Sequence, residues 1–252
     1  MNTIGVIPAR WASSRFEGKV LAKIGNKTLI QHVWENAKQS KLLDDLIIAA
    51  DNERVVDEVK KFGGKVCFTS KDQPSGTDRV AEVVNPLDVK IIVNIQGDEP
   101  MVKGIMIDNL ISSLTDEDET AEMATLVKRI DDTNEISDPN VVKVVVDKKG
   151  YALYFSRSPI PYDRRWTVDE GQSITNPSVE FYKHIGLYAY TKDFLFTYTN
   201  LPPSKLEKAE KLEQLRALEH GFKIRTVETE FDTVGIDTPE DLEKIKNLLA
   251  EG

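Results

Sequence analysis

The chain has 252 residues, 40% hydrophobic and 30% charged, with 42 acidic side chains against 33 Lys and Arg and a formal net charge of −9. That length buries a sizeable core in one α/β domain over residues 1–252, and the acidic balance argues against a general nucleic-acid binder, which carries a basic face. Cys67 is the only cysteine, which excludes an internal disulfide and a cysteine-based zinc site; no apolar run reaches the about 18 residues of a spanning helix and no leader-like segment opens the chain, so a cytoplasmic location is expected.

The first apolar run reads as a strand over residues 3–8 and opens into a loop carrying Arg10, Ser13, Ser14, Arg15, Gly18 and Lys19. Three cations with hydroxyls and a close-approach glycine at a sheet edge suit a polyphosphate, hence a nucleotide; the plain alternative is a solvated turn. A helix follows over 28–39, with Leu29, Ile30, Val33, Trp34 and Ala37 on one stripe, then a strand over 46–50. Asp51 or Asn52 caps the next helix, built on Val55, Val56, Val59 and Phe62 and ended by Gly63 and Gly64. A strand over 65–69 holds Cys67 as a small buried hydrophobe; a short helix over 78–84 and a buried strand over 90–95 follow. This alternation predicts an α/β fold with a mostly parallel central sheet flanked by helices.

Farther on, residues 141–146 and 151–155 flank a turn in which Gly150 takes the left-handed position, a hairpin extension of the kind that pairs with a second subunit, so a homodimer is expected. Residues 162–182 are polar and aperiodic and read as a mobile loop over a site. In a strand over 184–190, Ile185, Leu187 and Ala189 face the core, while His184, Gly186, Tyr188 and Tyr190 face a pocket. Ser204 and Glu207 form a capping box for a helix running to Glu219, and Thr238-Pro239 starts the last helix.

Asp98 follows a buried strand and Gly97, and Asp237 sits between Gly235 and a capped helix. Each alone reads most simply as a turn or cap residue. Converging opposite Arg10, Arg15 and Lys19, the two make a hard-oxygen site for Mg2+ shared with phosphate oxygens. Ser75, Gly76, Thr77 and Arg79 gather hydroxyls and a helix N-terminus that attracts anions, although a simple cap has the same appearance. Arg157, His184, Tyr188, Glu210 and Gln214 form a candidate second, polar pocket, with Glu210 and Gln214 one helical turn apart. His32 and His220 read as structural, and no Ser-His-Asp order, tight His pair or GxGxxG motif is present.

These motifs, from Ile7-Pro8-Ala9-Arg10 through Ser75 to Arg79, Asn94 to Pro100, Asn140 to Lys143, Tyr151 to Arg157, His184-Ile185-Gly186, Leu212 to Arg216 and Gly235 to Leu242, resemble the 3-deoxy-manno-octulosonate (KDO) cytidylyltransferases nearly end to end. The resemblance implies a nucleotide-diphospho-sugar transferase-like fold, CTP and KDO as substrates, Mg2+, a dimer, and a product that serves lipopolysaccharide biosynthesis. It places Arg10, Ser13, Arg15 and Lys19 at the triphosphate, Ser75, Gly76, Thr77, Arg79 and Gln96 at the cytidine and ribose, and Asp98 and Asp237 at the metal. Arg10, Lys19, Asp98 and Asp237 are thereby the catalytic set, and Arg157, His184, Tyr188, Glu210 and Gln214 the sugar-acid side. Glu17 and Val20 replace prolines of the family loop and Trp11 its usual tyrosine, which predicts a freer loop with a negative charge beside the phosphates. Three alternatives stand beside this reading. They are a cytidylyltransferase for another acid sugar (an 8-amino KDO analogue or neuraminate), a nucleotide-sugar glycosyltransferase, and a non-catalytic nucleotide-binding module.

Overall fold

A computed structural model describes residues 2–12, 16–115, 121–164, 167–168, 174–175 and 179–250. The opening apolar run forms β1 (Thr3–Ala9), buried throughout because a central parallel strand is covered on both faces. A 3-10 turn over Lys19–Leu21 and the ribbon of β2 (Lys23–Ile24) and β3 (Lys27–Thr28) lead into α1 (Leu29–Ala37). Then come β4 (Asp45–Ala50), α2 (Glu53–Lys61), β5 (Lys65–Phe68), α3 (Gly76–Val84), β6 (Ile91–Asn94) and α4 (Gly104–Thr115). The second half carries β7 (Met123–Arg129), α5 (Asn134–Ser137), β8 (Lys143–Val146), β9 (Ala152–Ser156), β10 (Thr167–Val168), β11 (Ile174–Thr175) and β12 (Tyr182–Thr191). It closes with α6 (Lys192–Asn200), α7 (Lys205–Glu210), α8 (Leu215–Glu219), β13 (Ile224–Glu228) and α9 (Pro239–Ala250).

Nine strands form one sheet in the order β13-β7-β12-β6-β1-β4-β5, with β8 beside β12 and β9 beside β8. β1 runs parallel to β4 and β6, β4 to β5 and β13 to β7, while β12 is antiparallel to both β6 and β7. One face packs Leu29, Ile30, Val33, Val55, Met106 and Ile245 of the helices against Ile7, Ile48, Val93 and Leu187. The other packs Val80, Val84, Phe194, Tyr198 and Leu215 against Val6, Ala49, Ile92 and Phe155. Each such side chain contributes roughly 1.5–3 kcal/mol by leaving water. β12 alternates as expected in that Ile185, Leu187 and Ala189 enter the first core, but Tyr190, expected to face a pocket, is buried in the second.

β4 and β5 lie on one side of β1 and β6 on the other, so β1 and β6 flank the switch point where α/β sheets open a crevice at their carboxyl ends. Gly97 permits the close approach there, since a Cβ would lie 2.6 Å from the Pro8 carbonyl oxygen.

Most boundaries fall within two residues of those read from sequence, and the departures have local causes. Asn52, not Asp51, caps α2, accepting from the Arg54 N–H at 2.9 Å. The hairpin of β8 and β9 turns on Gly150 at φ 82°, as expected. Cys67 is only half-buried, and burial pushes its thiol up, with Glu82 adding to the effect. The capping box at Ser204 and Glu207 forms, but the single helix expected to run to Glu219 is two. Lys211 adopts φ 54° and ends α7, which turns Glu210 toward β9 while Leu212 and Leu215 both enter the core. Ser204→Ala removes the cap and is expected to lower unfolding stability by about 1 kcal/mol, read by urea denaturation. Of the expected mobile loop at 162–182, residues 165–166, 169–173 and 176–178 lie outside the described residues, and within the rest β10 pairs antiparallel with β11.

Candidate active site

A cleft of about 500 Å³ opens at the carboxyl ends of β1 and β6. Pro8, Arg10, Lys19, Val20, Ser75, Gly76, Gln96, Gly97 and Asp98 line it. Lys19 sits at its floor, where Nζ donates to Asp98 Oδ2 at 2.6 Å, to the Ile236 carbonyl at 2.9 Å and to Asp237 Oδ1 at 3.0 Å. All three ammonium N–H groups are thus engaged. Burial alone pulls the Lys19 pKa down, but Asp98 and then Asp237 outweigh it and hold the ammonium above its ordinary value. The two carboxylates are brought together across 139 residues of chain by this one cation, and the Ile236 N–H donates to the Asp98 carbonyl at 3.0 Å to lock their loops. Thr238 and Asp241 cap each other at the start of α9 and fix the backbone beside Asp237.

Ser75 caps α3, accepting from the Asp78 N–H at 3.1 Å, and Gly76 leaves the cleft wall open, with a Cβ there meeting nothing nearer than Pro8 at 3.6 Å. Thr77 lies deeper and hydrogen-bonds Tyr190 and Glu213. Ser13 and Arg15 lie outside the described residues. Arg79, expected at the nucleotide, does not line the cleft. α3 turns it inward to 1% exposure, where Nη2 donates to Asp51 Oδ2 at 3.0 Å and Nη1 to the Ser70 carbonyl at 3.0 Å and to Thr69 Oγ1. Nor is Glu17 a bare charge facing the cleft: its Oε1 accepts from the Trp11 indole N–H at 2.9 Å, so two of the three residues that depart from the family loop are partners. The described ends of that loop are therefore pinned where loss of proline predicted freedom.

The second polar group stands over the neighbouring edge of the sheet. Tyr188 is paired in register with Asn94 at the end of β6, and its ring lies 5.4 Å from His184 and 6.0 Å from Tyr190. His184 Nε2 is 2.9 Å from Thr125 Oγ1, and burial pushes its pKa down to about 3, so the ring is neutral. Gln214 is 4% exposed and its Nε2 has no hydrogen-bond partner among the described residues. Glu210 and Arg157 are placed otherwise than on an open pocket wall. Glu210 accepts from Ser156 Oγ at 2.6 Å and the Arg157 N–H at 3.0 Å, while Arg157 Nε and Nη1 donate to the Glu210 and Pro139 carbonyls. With the break at Lys211, Glu210 and Gln214 sit on opposite sides of a helix end rather than one turn apart.

Residues 4–224 match the family model described as cytidylyltransferase. The 3-deoxy-manno-octulosonate cytidylyltransferase of Solibacter usitatus is 53% identical over 97% of this chain and 93% of its own length, and that of Geobacter sulfurreducens 49% over 99% and 100%. The chain belongs to the 3-deoxy-manno-octulosonate cytidylyltransferase family. It is a nucleotidyltransferase. A solved CMP:2-keto-3-deoxy-manno-octonic acid synthetase complexed with CTP superposes with a TM-score of 0.90 at 42% identity, covering 100% of this chain and 99% of that one. The 4-diphosphocytidyl-2C-methyl-D-erythritol synthase of Anaerococcus prevotii, at 14% identity and a TM-score of 0.63 over 99% and 98%, shares the fold. Among the described residues no helix is long and apolar enough to cross a membrane.

Two acidic side chains of this cytidylyltransferase were not singled out from sequence. Glu213 hydrogen-bonds Thr77, and burial holds its pKa above the ordinary value. Glu99 hydrogen-bonds Thr233 beside Asp98, and burial, reinforced by Asp98, pushes its pKa up to about 7. The only sequence signal was the Asp98-Glu99 pair itself, where the second acid follows the first onto a buried turn. Between pH 4.5 and 7 the folded chain keeps a proton on Glu99 that the unfolded chain releases, so stability falls as pH rises through that window. Glu99→Gln is expected to raise unfolding stability at pH 8 by on the order of 3 kcal/mol and to leave it unchanged at pH 4, measured by denaturation in EDTA.

Proposed function

We propose that this cytidylyltransferase transfers CMP from CTP to the anomeric hydroxyl of KDO, giving CMP-KDO and pyrophosphate, the activated sugar then serving lipopolysaccharide assembly from the cytoplasm. One observation carries the chemistry. The cleft at the switch point sets Arg10 and Lys19 against a pair of carboxylates, Asp98 and Asp237, that converge on a single cation. The sugar rests on the names of the relatives.

In the proposed reaction the hydroxyl oxygen bonds to the α-phosphorus as the bond from that phosphorus to the bridging oxygen breaks, and the hydroxyl proton departs to solvent. Arg10 and Lys19 neutralise the phosphates and the leaving pyrophosphate. Gln96 and the cap of α3 orient the nucleoside, and the neutral His184 with Tyr188 bounds the sugar. The donor set fits a divalent cation, because two carboxylates already gather around a positive charge and further oxygens come from phosphate; no group of three or more ligating side chains is present among the described residues. Asp98 and Asp237 would hold Mg2+, which neutralises charge at the α-phosphate and acidifies the attacking hydroxyl.

The proposal includes a homodimer. Among the described residues β9 pairs with β8 alone, and Leu153 on it is 59% exposed, an apolar edge suited to a second subunit. Pyrophosphate release with CTP, Mg2+ and a panel of KDO, its 8-amino analogue and neuraminate tests the reading. Release with KDO is expected; release with another member alone reassigns the sugar, and release with none leaves a nucleotide-binding module.

A further inference from the structure

Asp51 is a buried carboxylate that neither caps a helix nor enters the proposed chemistry. It directly follows β4, beside the end of β1, where Ala9 is paired in register with Ala50. It is 6% exposed, and both oxygens are committed: Oδ1 accepts from the Trp11 N–H at 2.8 Å and Oδ2 from Arg79 Nη2 at 3.0 Å. Arg79 is itself immobilised by the Ser70 carbonyl and Thr69 Oγ1, so the pair is a fixed post rather than a surface contact.

Trp11 carries that fixity across the loop base. Its carbonyl accepts from the Gly18 N–H at 2.9 Å and its indole donates to Glu17. The Arg54 guanidinium lies 5.0 Å from its ring centre. Gly18 lies against the ring at φ 68°, where a Cβ would come within 2.9 Å of the indole. Lys19 is the next residue. Arg10 is the residue before Trp11.

We infer that Asp51, neutralised by Arg79, is a positioning residue that fixes Trp11 and thereby sets Arg10 and Lys19 in place before the nucleotide arrives. The argument rests on the reading of this cleft as a CTP site. A buried ion pair is poor evidence for stability, since apolar groups of similar volume do as well. What an apolar pair lacks is an acceptor aimed at the Trp11 N–H. The guanidinium matters for a second reason: it cancels a negative charge that otherwise stands behind a polyphosphate site. Preorganising two cations in this way lowers the ordering cost of binding.

The test is CTP binding by calorimetry, without sugar. Asp51→Leu, which removes acceptor and charge, is expected to weaken CTP at least about tenfold. Asp51→Asn with Arg79→Met keeps the acceptor, leaves no buried charge, and is expected to stay within about threefold of wild type. Trp11→Leu keeps the main-chain bonds to Asp51 and Gly18 but removes the ring that lies against Gly18 and donates to Glu17, so it tests the ring's part of the relay even where Asp51→Leu does not fold: it should weaken CTP, though less than Asp51→Leu does. A folded Asp51→Leu chain that binds CTP as tightly as wild type overturns the inference, as does a Trp11→Leu chain of unchanged affinity. Equal weakening in Asp51→Leu and Asp51→Asn/Arg79→Met overturns it also. Failure of the wild-type chain to bind CTP strikes the functional reading instead, and this inference with it.

Discussion

Asp98→Asn is expected to lower turnover by about a thousandfold while shifting CTP affinity less than about threefold. The substitution is close to isosteric at the end of β6, so the turn on Gly97 and the hydrogen bond from the Ile236 N–H to the Asp98 carbonyl both survive. What it removes is one of two negative charges that converge in the cleft. Ground-state CTP does not need that charge; a carboxylate beside a triphosphate is, if anything, repulsive, and release of Lys19 from Asp98 frees a donor for phosphate. The transition state does need it, because Asp98 would help hold the divalent cation that answers the negative charge spreading over the α-phosphate as the attacking hydroxyl gives up its proton. A change in kcat with little change in CTP dissociation constant is therefore the signature. Pyrophosphate release and a CTP titration on the same preparation measure the two numbers. Near-normal turnover would remove Asp98 from the chemistry.

Much of the scaffold was readable because local and global preferences agree. β1 and β6 are short apolar runs without alternation, the mark of strands covered on both faces, and α1 and α2 carry their buried residues at helical spacing. Caps at Asn52, Ser75 and Ser204 were visible as residue types. The break at Lys211 was not, because a lysine in the left-handed region has no sequence mark. It is imposed by tertiary demands on both sides, Glu210 held by β9 and Leu212 by the core.

The convergence of two carboxylates on a cation of the opening loop was legible, because Asp98 directly follows Gly97 and Asp237 lies two residues after Gly235. The site was not legible where a side chain's direction decides its use. Arg79 lies in the first turns of a helix opened by Ser75, Gly76 and Thr77 and so reads as an anion ligand; only the packing of α3 shows it pointing inward to Asp51. Asp51 and Asn52 are adjacent potential caps, and sequence does not say which one turns toward the helix. Glu17 reads as a misplaced charge until Trp11 is seen to donate to it, a partnership closed by the turn at Gly18 rather than by spacing.

Lys19→Met is expected to have a twofold consequence: turnover falls by about a thousandfold or more, and the free protein gains affinity for a divalent cation by about tenfold. The first part follows from the loss of a cation at the leaving pyrophosphate. The second follows from the geometry of the free chain, in which the ammonium donates to Asp98, Asp237 and the Ile236 carbonyl and is 12% exposed. So long as it stays there, Lys19 has no N–H left for a phosphate, and the two carboxylates have their counter-charge. Engagement of the triphosphate by Lys19 thus requires it to exchange partners, and another cation must then answer the carboxylates. Methionine fills a similar volume without charge and takes from Asp98 and Asp237, 28% and 45% exposed, the ammonium that they share. Mn2+ binding to the nucleotide-free protein, followed by the electron paramagnetic resonance of the free ion, reads this directly. The gain should vanish in Lys19→Met/Asp98→Asn, which lacks one of the two donors. If Lys19→Met bound Mn2+ no better than wild type, the carboxylates would not be a cation site in waiting, and the assignment of Asp98 and Asp237 to a metal would fall with it.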